Sequence, residues 1–244
     1  MRIIPKISVF GNAAYTTKRY HKSMYVGCPI NASKIFSELG CQELVINFIG
    51  KDKCTELAKK CLVNLNVPVT VGGFTKNYAE MITLVEHGAE KILFAQESTN
   101  FSNQTAEKLA KHVGSQAVTL CLDLVIEDSE IFVTCGENRQ SKCGASLLNY
   151  ENLDIPDYYG EIIINNVISD GSYEFKDANI IYSLFRKLPT NIPILLGGGL
   201  VYDNLHREDQ ISGVIIASDF TLVHKGDVEA VLQNYPLKEA INKR

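Results

Sequence analysis

Short apolar runs alternate with amphipathic segments along the whole chain. Eight of these runs are five to seven residues long and rich in valine, isoleucine and leucine. Runs of this length and composition, separated by longer periodic segments, predict buried β-strands. The predicted strands are Arg2–Ser8, Glu43–Phe48, Val67–Val71, Lys91–Ala95, Ala117–Asp123, Glu161–Asn165, Ile192–Leu196 and Gly213–Ala217.

Amphipathic helices are predicted between the strands, in NASKIFSELG, KDKCTELAKKCLVNL, KNYAEMITLVEHG, TAEKLAKHVG and NIIYSLFRKL. Strands that alternate with helices are typical of a parallel sheet, and eight such units predict a (β/α)₈ TIM barrel. The barrel needs about 250 residues, so the 244 residues are predicted to form one domain over 1–244. The stretch LVIEDSEIFVTCGENRQSKCG after Asp123 predicts a β-hairpin inserted after the fifth strand.

The two halves of the chain resemble each other. VPVTVGGF at 67–74 matches IPILLGGGL at 192–200, and ELVINF at 43–48 matches EIIINN at 161–166. Both offsets are close to half of the chain, so the sequence predicts an internal duplication of a half-barrel. The same offset places Ser8, at the end of the first strand, in correspondence with Asp123 at the end of the fifth.

Composition excludes several classes of protein. The formal net charge of −4 argues against a general nucleic-acid-binding surface. No apolar run is long enough to span a membrane, and the amino terminus does not read as a signal peptide, so a cytoplasmic location is expected. The histidine spacing predicts no metal site, and no cofactor is expected. The cysteines are odd in number and scattered, so reduced thiols are expected at Cys28, Cys41, Cys54, Cys61, Cys121, Cys135 and Cys143.

Glycine-rich turns follow several predicted strands, at the end of the barrel where ligands of this fold bind. Glycine lets the backbone approach a phosphate closely. Turns in both halves therefore predict a ligand that carries phosphate at both ends. Tight βα turns and the common turn tripeptide Asp-Gly-Ser are the structural alternatives. The turns contain Gly72 and Gly73 after the third strand, Asp170 to Ser172 after the sixth, Gly197 to Gly199 after the seventh, and Ala217 with Ser218 after the eighth.

Four charged residues stand where predicted strands begin: Arg2, Glu43, Lys91 and Glu161. Alternation along a strand puts residues two apart on one face. If these faces point inward, two cations and two anions ring the lower end of the barrel, where they must pair or be hydrated. A set of separate solvated charges is the alternative. The same parity places the Lys6 ammonium inside the barrel below Ser8.

Over almost its whole length the chain resembles the cyclase (HisF-type) subunit of imidazole glycerol phosphate synthase. The matching motifs are RIIP at the amino terminus, PVTVGG at 68–73, GSQAV at 114–118 with Asp123, SDGS at 169–172, GGG at 197–199 and AS at 217–218. The resemblance implies a duplicated (β/α)₈ barrel that docks a glutaminase on its amino-terminal face. It also implies that ammonia passes through the barrel to a bis-phosphorylated ribulosyl substrate, which yields imidazole glycerol phosphate and an aminoimidazole nucleotide.

The family's functional positions map onto this chain with several departures. Its two catalytic aspartates correspond to Ser8 and Asp123, so the first is lost. A third phosphate-site glycine is replaced by Phe74, and an asparagine at the end of the fourth strand by Ala95. In the rewritten loop after the first strand, Lys18 is the nearest candidate for the substrate lysine. The family's ammonia gate corresponds to Arg2, Glu43, Lys91 and Glu161, and its phosphate sites to Gly72, Gly73, Gly171, Gly198, Gly199, Ala217 and Ser218.

Three functions follow from this comparison. One branch of the family also lacks the first aspartate, resembles MYVGCPINASKIF at 24–36, and accompanies amidotransferases acting on surface sugars. The first hypothesis is therefore a barrel that activates a glutaminase and passes ammonia toward a sugar acceptor, with a sugar amidotransferase as a further partner. The second is a working cyclase that uses Asp123. The third is a scaffold that binds a phosphorylated small molecule without catalysis.

Overall fold

The computed structural model describes residues 1–135, 139, 141–200 and 210–218. The carboxy-terminal part of the predicted domain, residues 219–244, lies outside the described residues. Within them, strands are found at β1 (Arg2–Phe10), β2 (Ala13–Lys18), β3 (His21–Gly27), β4 (Leu44–Ile49), β5 (Val69–Gly72), β6 (Lys91–Ala95), β7 (Val118–Glu127), β8 (Glu130–Cys135), β9 (Ser141–Cys143), β10 (Glu161–Asn166), β11 (Ile194–Gly197) and β12 (Ile211–Ile216).

Eight of these strands form a closed parallel barrel in the order β1, β4, β5, β6, β7, β10, β11 and β12. The pairing of β12 with β1 closes the circle, and β7 pairs with β10 across the inserted segment. The TIM-barrel prediction is confirmed, and all eight barrel strands overlap the predicted ones. In this order β1 and β7 lie four strands apart in either direction, so their carboxyl ends face each other across the barrel.

Helices follow the barrel strands in the five segments where amphipathic patterns predict them. Their buried residues belong to a large apolar cluster that also contains the outward-facing side chains of the strands. Helix α4 shows why such a segment is helical, because Asn103 caps its first turn by accepting bonds from Thr105 N and Ala106 N. The described helices are α1 (Pro29–Glu38), α2 (Thr55–Leu62), α3 (Tyr78–Glu86), α4 (Gln104–Val113) and α5 (Ala178–Phe185). None of the helices in the described residues is long and apolar enough to cross a membrane.

A hairpin after the first strand is a feature that the sequence pattern did not predict. Strand β1 continues past Ser8 to Phe10 and then pairs with β2 in antiparallel register, and β2 pairs with β3. Edge-to-face aromatic contacts hold the hairpin, with ring centroids 5.9 Å apart for Phe10 and Tyr15 and 5.7 Å apart for Tyr15 and Tyr25. These aromatic pairs stabilise strand pairing that the short, polar sequence of the hairpin does not predict.

The predicted hairpin insert after the fifth barrel strand is confirmed. Strand β7 extends beyond the barrel and pairs with β8, which in turn pairs with β9. The expectation of seven reduced cysteines is wrong at two positions, because Cys135 and Cys143 form a disulfide. The β8–β9 register brings their Cα atoms to 6.0 Å, which is within the range that a disulfide spans. Sequence spacing did not reveal this proximity because it depends on the register of the hairpin.

Thiol titration provides a test of this cysteine arrangement. In denaturant without reductant, five thiols are expected to react, and seven after reduction, because only the Cys135–Cys143 pair is oxidised. In the native protein, exposed Cys28 is expected to react first, since burial raises the pKa of Cys41 to about 11 and of Cys61 to about 12. Seven reactive thiols in the unreduced, denatured protein would contradict the disulfide.

Candidate functional site

The inward face of the barrel is divided into three layers along its axis. Strand β1 illustrates the division, since Arg2 lies at its lower end, Ile4 in the middle, and Lys6 and Ser8 at its upper end. The middle layer is apolar, and the layers above and below it are polar. The seven side chains of the middle layer are Ile4, Val45, Leu93, Cys121, Ile163, Leu195 and Ile215.

The four charged residues at the strand starts form a closed ring of ion pairs. The Arg2 guanidinium donates from Nη1 to Glu43 Oε2 at 2.7 Å and from Nη2 to Glu161 Oε1 at 2.6 Å. The Lys91 ammonium donates to Glu43 Oε1 at 2.7 Å and to Glu161 Oε2 at 2.9 Å. Each cation therefore bridges both carboxylates, and each carboxylate receives both cations. The structure brings together all four residues that the sequence placed at this end.

The ring is charge-balanced and partly shielded from water. The carboxylate side chains are 5% and 4% exposed, Lys91 14% and Arg2 33%. Burial alone disfavours the Arg2 cation, but its hydrogen bonds and attraction to Glu161 and Glu43 outweigh burial and raise the pKa of Arg2. The paired charges compensate one another at the lower rim of the barrel, so removing one member leaves an uncompensated charge in a shielded site.

Ser8 and Asp123 occupy the upper ends of β1 and β7, on opposite sides of the barrel. The Ser8 side chain is buried, and its Oγ makes no hydrogen bond within the described residues. The Asp123 carboxylate is also buried but is fully engaged. Its Oδ1 accepts from Tyr20 OH at 2.7 Å and from Asn165 Nδ2 at 2.8 Å, and its Oδ2 pairs with Arg139 Nε at 3.4 Å.

Tyr20 reaches Asp123 from the tip of the β2–β3 hairpin, which folds over the barrel mouth. The hairpin is fastened to the turn after β10: Arg19 N donates to Asp170 O at 3.1 Å, and Tyr20 N donates to Asp170 Oδ2 at 3.0 Å. Gly171 permits this contact, because a Cβ there would lie 2.0 Å from Thr17 O. The first loop of the barrel thus covers Asp123 at the end of the fifth barrel strand.

The Tyr20 hydroxyl is held as a hydrogen-bond donor. Burial, followed by the negative charge of Asp123, raises the pKa of Tyr20 well above its usual value. Asn165 Nδ2 also donates to the Tyr20 oxygen at 2.9 Å. The three side chains form a closed hydrogen-bonded group in which Asp123 is the acceptor.

A pocket opens beside this group at the carboxyl ends of β10, β11 and β12. It contains every second-half phosphate-site residue that the sequence proposed. Gly198 has a structural reason to be glycine, because its φ is +91° and a Cβ would lie 2.2 Å from Asn166 O. The tight-turn alternative is therefore true of this glycine whether or not it contacts a ligand. The pocket is lined by Lys6, Asn165, Asp170, Gly171, Tyr173, Gly198, Gly199, Leu200, Ile215, Ala217 and Ser218.

The first-half phosphate position has a different environment. Gly72 ends β5 and Gly73 follows it, and neither lines the second-half pocket. Phe74, which replaces the third glycine, is buried and packs on Phe48 with ring centroids 5.1 Å apart. The Gly73 carbonyl accepts a 2.6 Å hydrogen bond from Lys53 Nζ. The two proposed phosphate positions are thus unlike in structure.

The remaining sequence candidates, Lys18 and Ala95, do not line this pocket. Lys18 is exposed at the end of β2, and Ala95 packs against the apolar middle layer. Neither residue contributes a polar group to the mouth. Lys6 does, and its position inside the barrel agrees with strand parity.

Comparison with known proteins agrees with this architecture. The profile of a family described as "Histidine biosynthesis protein" matches residues 2–229. The chain belongs to this family. It is 27% identical over 248 residues to the "Putative imidazole glycerol phosphate synthase subunit HisF" of Leptospira interrogans, covering 98% of this chain and 96% of that protein.

Two further members of the histidine biosynthesis protein family show the same range of similarity. The "Putative imidazole glycerol phosphate synthase subunit hisF3" of Vibrio vulnificus is 27% identical over 248 residues, covering 96% of this chain and 92% of its own. The "Imidazole glycerol phosphate synthase subunit HisF" of Streptococcus gordonii is 28% identical over 205 residues, covering 81% and 79%. The likeness extends along most of each chain.

Sequence reasoning missed three residues around Asp123. Asn165 could have been predicted from the sequence. It ends a predicted strand, lies on the same face as Ile163 two residues earlier, and is paired in register with Asp123. Tyr20 and Arg139 reach the carboxylate from hairpins whose folding the local pattern does not fix. In this member of the histidine biosynthesis protein family, the surroundings of Asp123 are therefore set largely by loops.

Loss of one ring carboxylate is expected to destabilise the protein strongly. Glu161→Gln leaves two cations with one carboxylate in a shielded site, which costs about 3 kcal/mol of unfolding free energy. The matched control is Glu107→Gln, which breaks the exposed Lys111–Glu107 pair and costs less than about 0.5 kcal/mol. Urea denaturation measures both. Equal, small losses would show that the ring contributes no more than a surface pair.

Removal of the Tyr20 hydroxyl is expected to cost about 1–2 kcal/mol of unfolding free energy, because Asp123 loses a buried donor. The difference between Tyr20→Phe and the wild type should shrink as pH rises above about 10. There the unfolded tyrosine ionises while the folded one, with its raised pKa, stays protonated. Tyr25→Phe, at an exposed tyrosine, is the control. A difference that does not change with pH would contradict the assigned hydrogen bond.

Proposed function

We propose that this chain pairs with a glutaminase and conducts ammonia through its barrel for amidation of a sugar acceptor, without cyclase activity. The observation that carries the proposal is the contrast between the two ends of the barrel. The ring of Arg2, Glu43, Lys91 and Glu161 is complete, whereas the catalytic pair at the mouth is reduced to Asp123. A barrel that keeps the charged ring but lacks the cyclase residues is suited to delivering ammonia to another enzyme.

The state of Asp123 supports the loss of cyclase activity. General acid–base catalysis needs a carboxyl group within hydrogen-bond reach of the substrate. Here Tyr20, Asn165 and Arg139 already occupy the carboxylate. Ser8 supplies no replacement, since a serine hydroxyl without an activating base does not exchange protons effectively near neutral pH. Loss of one such group costs about 10²–10⁴-fold in rate.

The interior of the barrel supports passage of neutral ammonia. The apolar layer between the ring and the mouth would impose a large cost on an ammonium ion and a small one on ammonia. The ring lies below this layer and is closed by four ion pairs. Entry of ammonia thus requires an ion pair to open, which a glutaminase docked on the amino-terminal face would control.

The proposed partner rests on the relatives of this chain, and the proposed ligand rests on the pocket. The named relatives are subunits of imidazole glycerol phosphate synthase, and a HisH-type glutaminase is the proposed partner of this chain. The pocket at the ends of β10 to β12 is the proposed site for a phosphorylated small molecule. A sugar amidotransferase is the proposed consumer of the ammonia.

Reconstitution with a HisH-type glutaminase tests this function. Glutamine hydrolysis is expected to rise at least tenfold in the complex, and no imidazole glycerol phosphate is expected from the ribulosyl substrate with either glutamine or ammonium salts. Lys91→Met should abolish most of the stimulation because it leaves Glu43 and Glu161 with Arg2 alone. Lys111→Met, in the exposed Lys111–Glu107 pair, is the matched control and should leave it unchanged.

Two results would overturn the proposal. Robust turnover of the ribulosyl substrate would establish a working cyclase with Asp123 as its acid–base group. Absence of any stimulation, with a glutaminase that a HisF-type relative does activate, would exclude the paired role.

A further inference from the structure

Lys6 is a buried lysine that makes no ion pair within the described part of the chain. The residue is 7% exposed and lines the pocket at the ends of β10 to β12. Among the described residues, no carboxylate lies within ion-pair distance of its Nζ. Its contact is with the face of Tyr20, whose ring centroid is 4.9 Å from Nζ.

This environment is unlike that of the other inward-facing cations of β1 and β6. Arg2 and Lys91 each hold two carboxylates at 2.6–2.9 Å. A cation–π contact compensates only part of the cost of removing an ammonium from water. The nearby carboxylate of Asp123 is occupied by Tyr20, Asn165 and Arg139. Lys6 is thus left with its charge directed at the pocket.

The walls of the pocket favour an anion that carries several oxygen atoms. Gly171, Gly198 and Gly199 bring backbone rather than side chains to the surface, and Ser218 adds a hydroxyl. Asp170 is the opposing charge, but its Oδ2 accepts the backbone N–H of Tyr20 at 3.0 Å. A compact dianion such as phosphate in this pocket would have Lys6 on the barrel side and the glycine turns on the outer side.

We propose that Lys6 is the anion-binding residue of this pocket and contacts the phosphate of a phosphate monoester. The proposal rests on the phosphorylated ligand of the proposed function but not on ammonia transfer. Strand β1 then takes a direct part in ligand binding through Lys6, which lies two residues before Ser8 on the same inward face. The ligand phosphate then lies between this strand and the turns after β10, β11 and β12.

Calorimetric titration of the full chain without a glutaminase tests the assignment. Inorganic phosphate and a pentose 5-phosphate are the probes, and both are expected to bind the wild type. Lys6→Met should weaken binding by about 10- to 100-fold, as expected for loss of a charge-assisted hydrogen bond. Lys22→Met is the matched control, since Lys22 also lies over aromatic rings, 4.8 Å from the Tyr15 centroid, but does not line the pocket. It should change binding by less than about twofold.

A second measurement covers the case in which Lys6→Met does not fold. In ¹⁵N-lysine-labelled wild type, the side-chain amine resonance of Lys6, assigned by its absence in Lys6→Arg, should shift on saturation with phosphate. The resonance of Lys22 should not. Unchanged affinity in folded Lys6→Met, an unmoved Lys6 resonance, or no binding of either probe would each overturn the proposal. Failure of glutaminase stimulation would leave these results unaffected, so the two proposals fail separately.

Discussion

The closed barrel imposes one constraint on which the rest of the structure depends: a charge that points inward is costly to bury unless a group of opposite charge or a hydrogen-bond partner compensates it. Strand alternation sends Arg2, Glu43, Lys91 and Glu161 into the same small space at the lower rim. There they satisfy one another in a ring in which every cation contacts both carboxylates. Removal of one member leaves a surplus charge next to an apolar layer, which destabilises the other three.

At the opposite rim the same constraint is met by two hairpin tips together with one strand residue. Asp123 faces Ser8 and not a second carboxylate, and its charge is compensated by Arg139 and by the donors Tyr20 and Asn165. Those contacts require the β2–β3 hairpin to cross the mouth and rest on the turn at Asp170. The open pocket lies beside this covered part, at the ends of β10, β11 and β12.

The barrel was predictable because its signals are local and repeated. Eight apolar runs and the helices between them follow from periodicity, and the inward positions of Arg2 and Glu43 follow from strand parity. The contacts of Tyr20 and Arg139 with Asp123 were not predictable, since a hairpin tip is placed by packing far from it in sequence. The Cys135–Cys143 disulfide was not predicted for a related reason. The two cysteines are close because of the register of β8 and β9, which their spacing in the sequence does not determine.

The ring also has a consequence for the order of folding during synthesis. Glu43 can pair with Lys91 once β6 has left the ribosome. The second carboxylate of the ring, Glu161, is synthesised 159 residues after Arg2, and only then can it pair with Arg2 and Lys91. Until then the ring holds two cations and one anion, and the edge of β7 that later pairs with β10 is open. Contacts this distant in sequence form slowly, and incomplete barrels expose unpaired strand edges. The emergence of β10 is thus the step at which the nascent chain balances its interior charge and covers that edge.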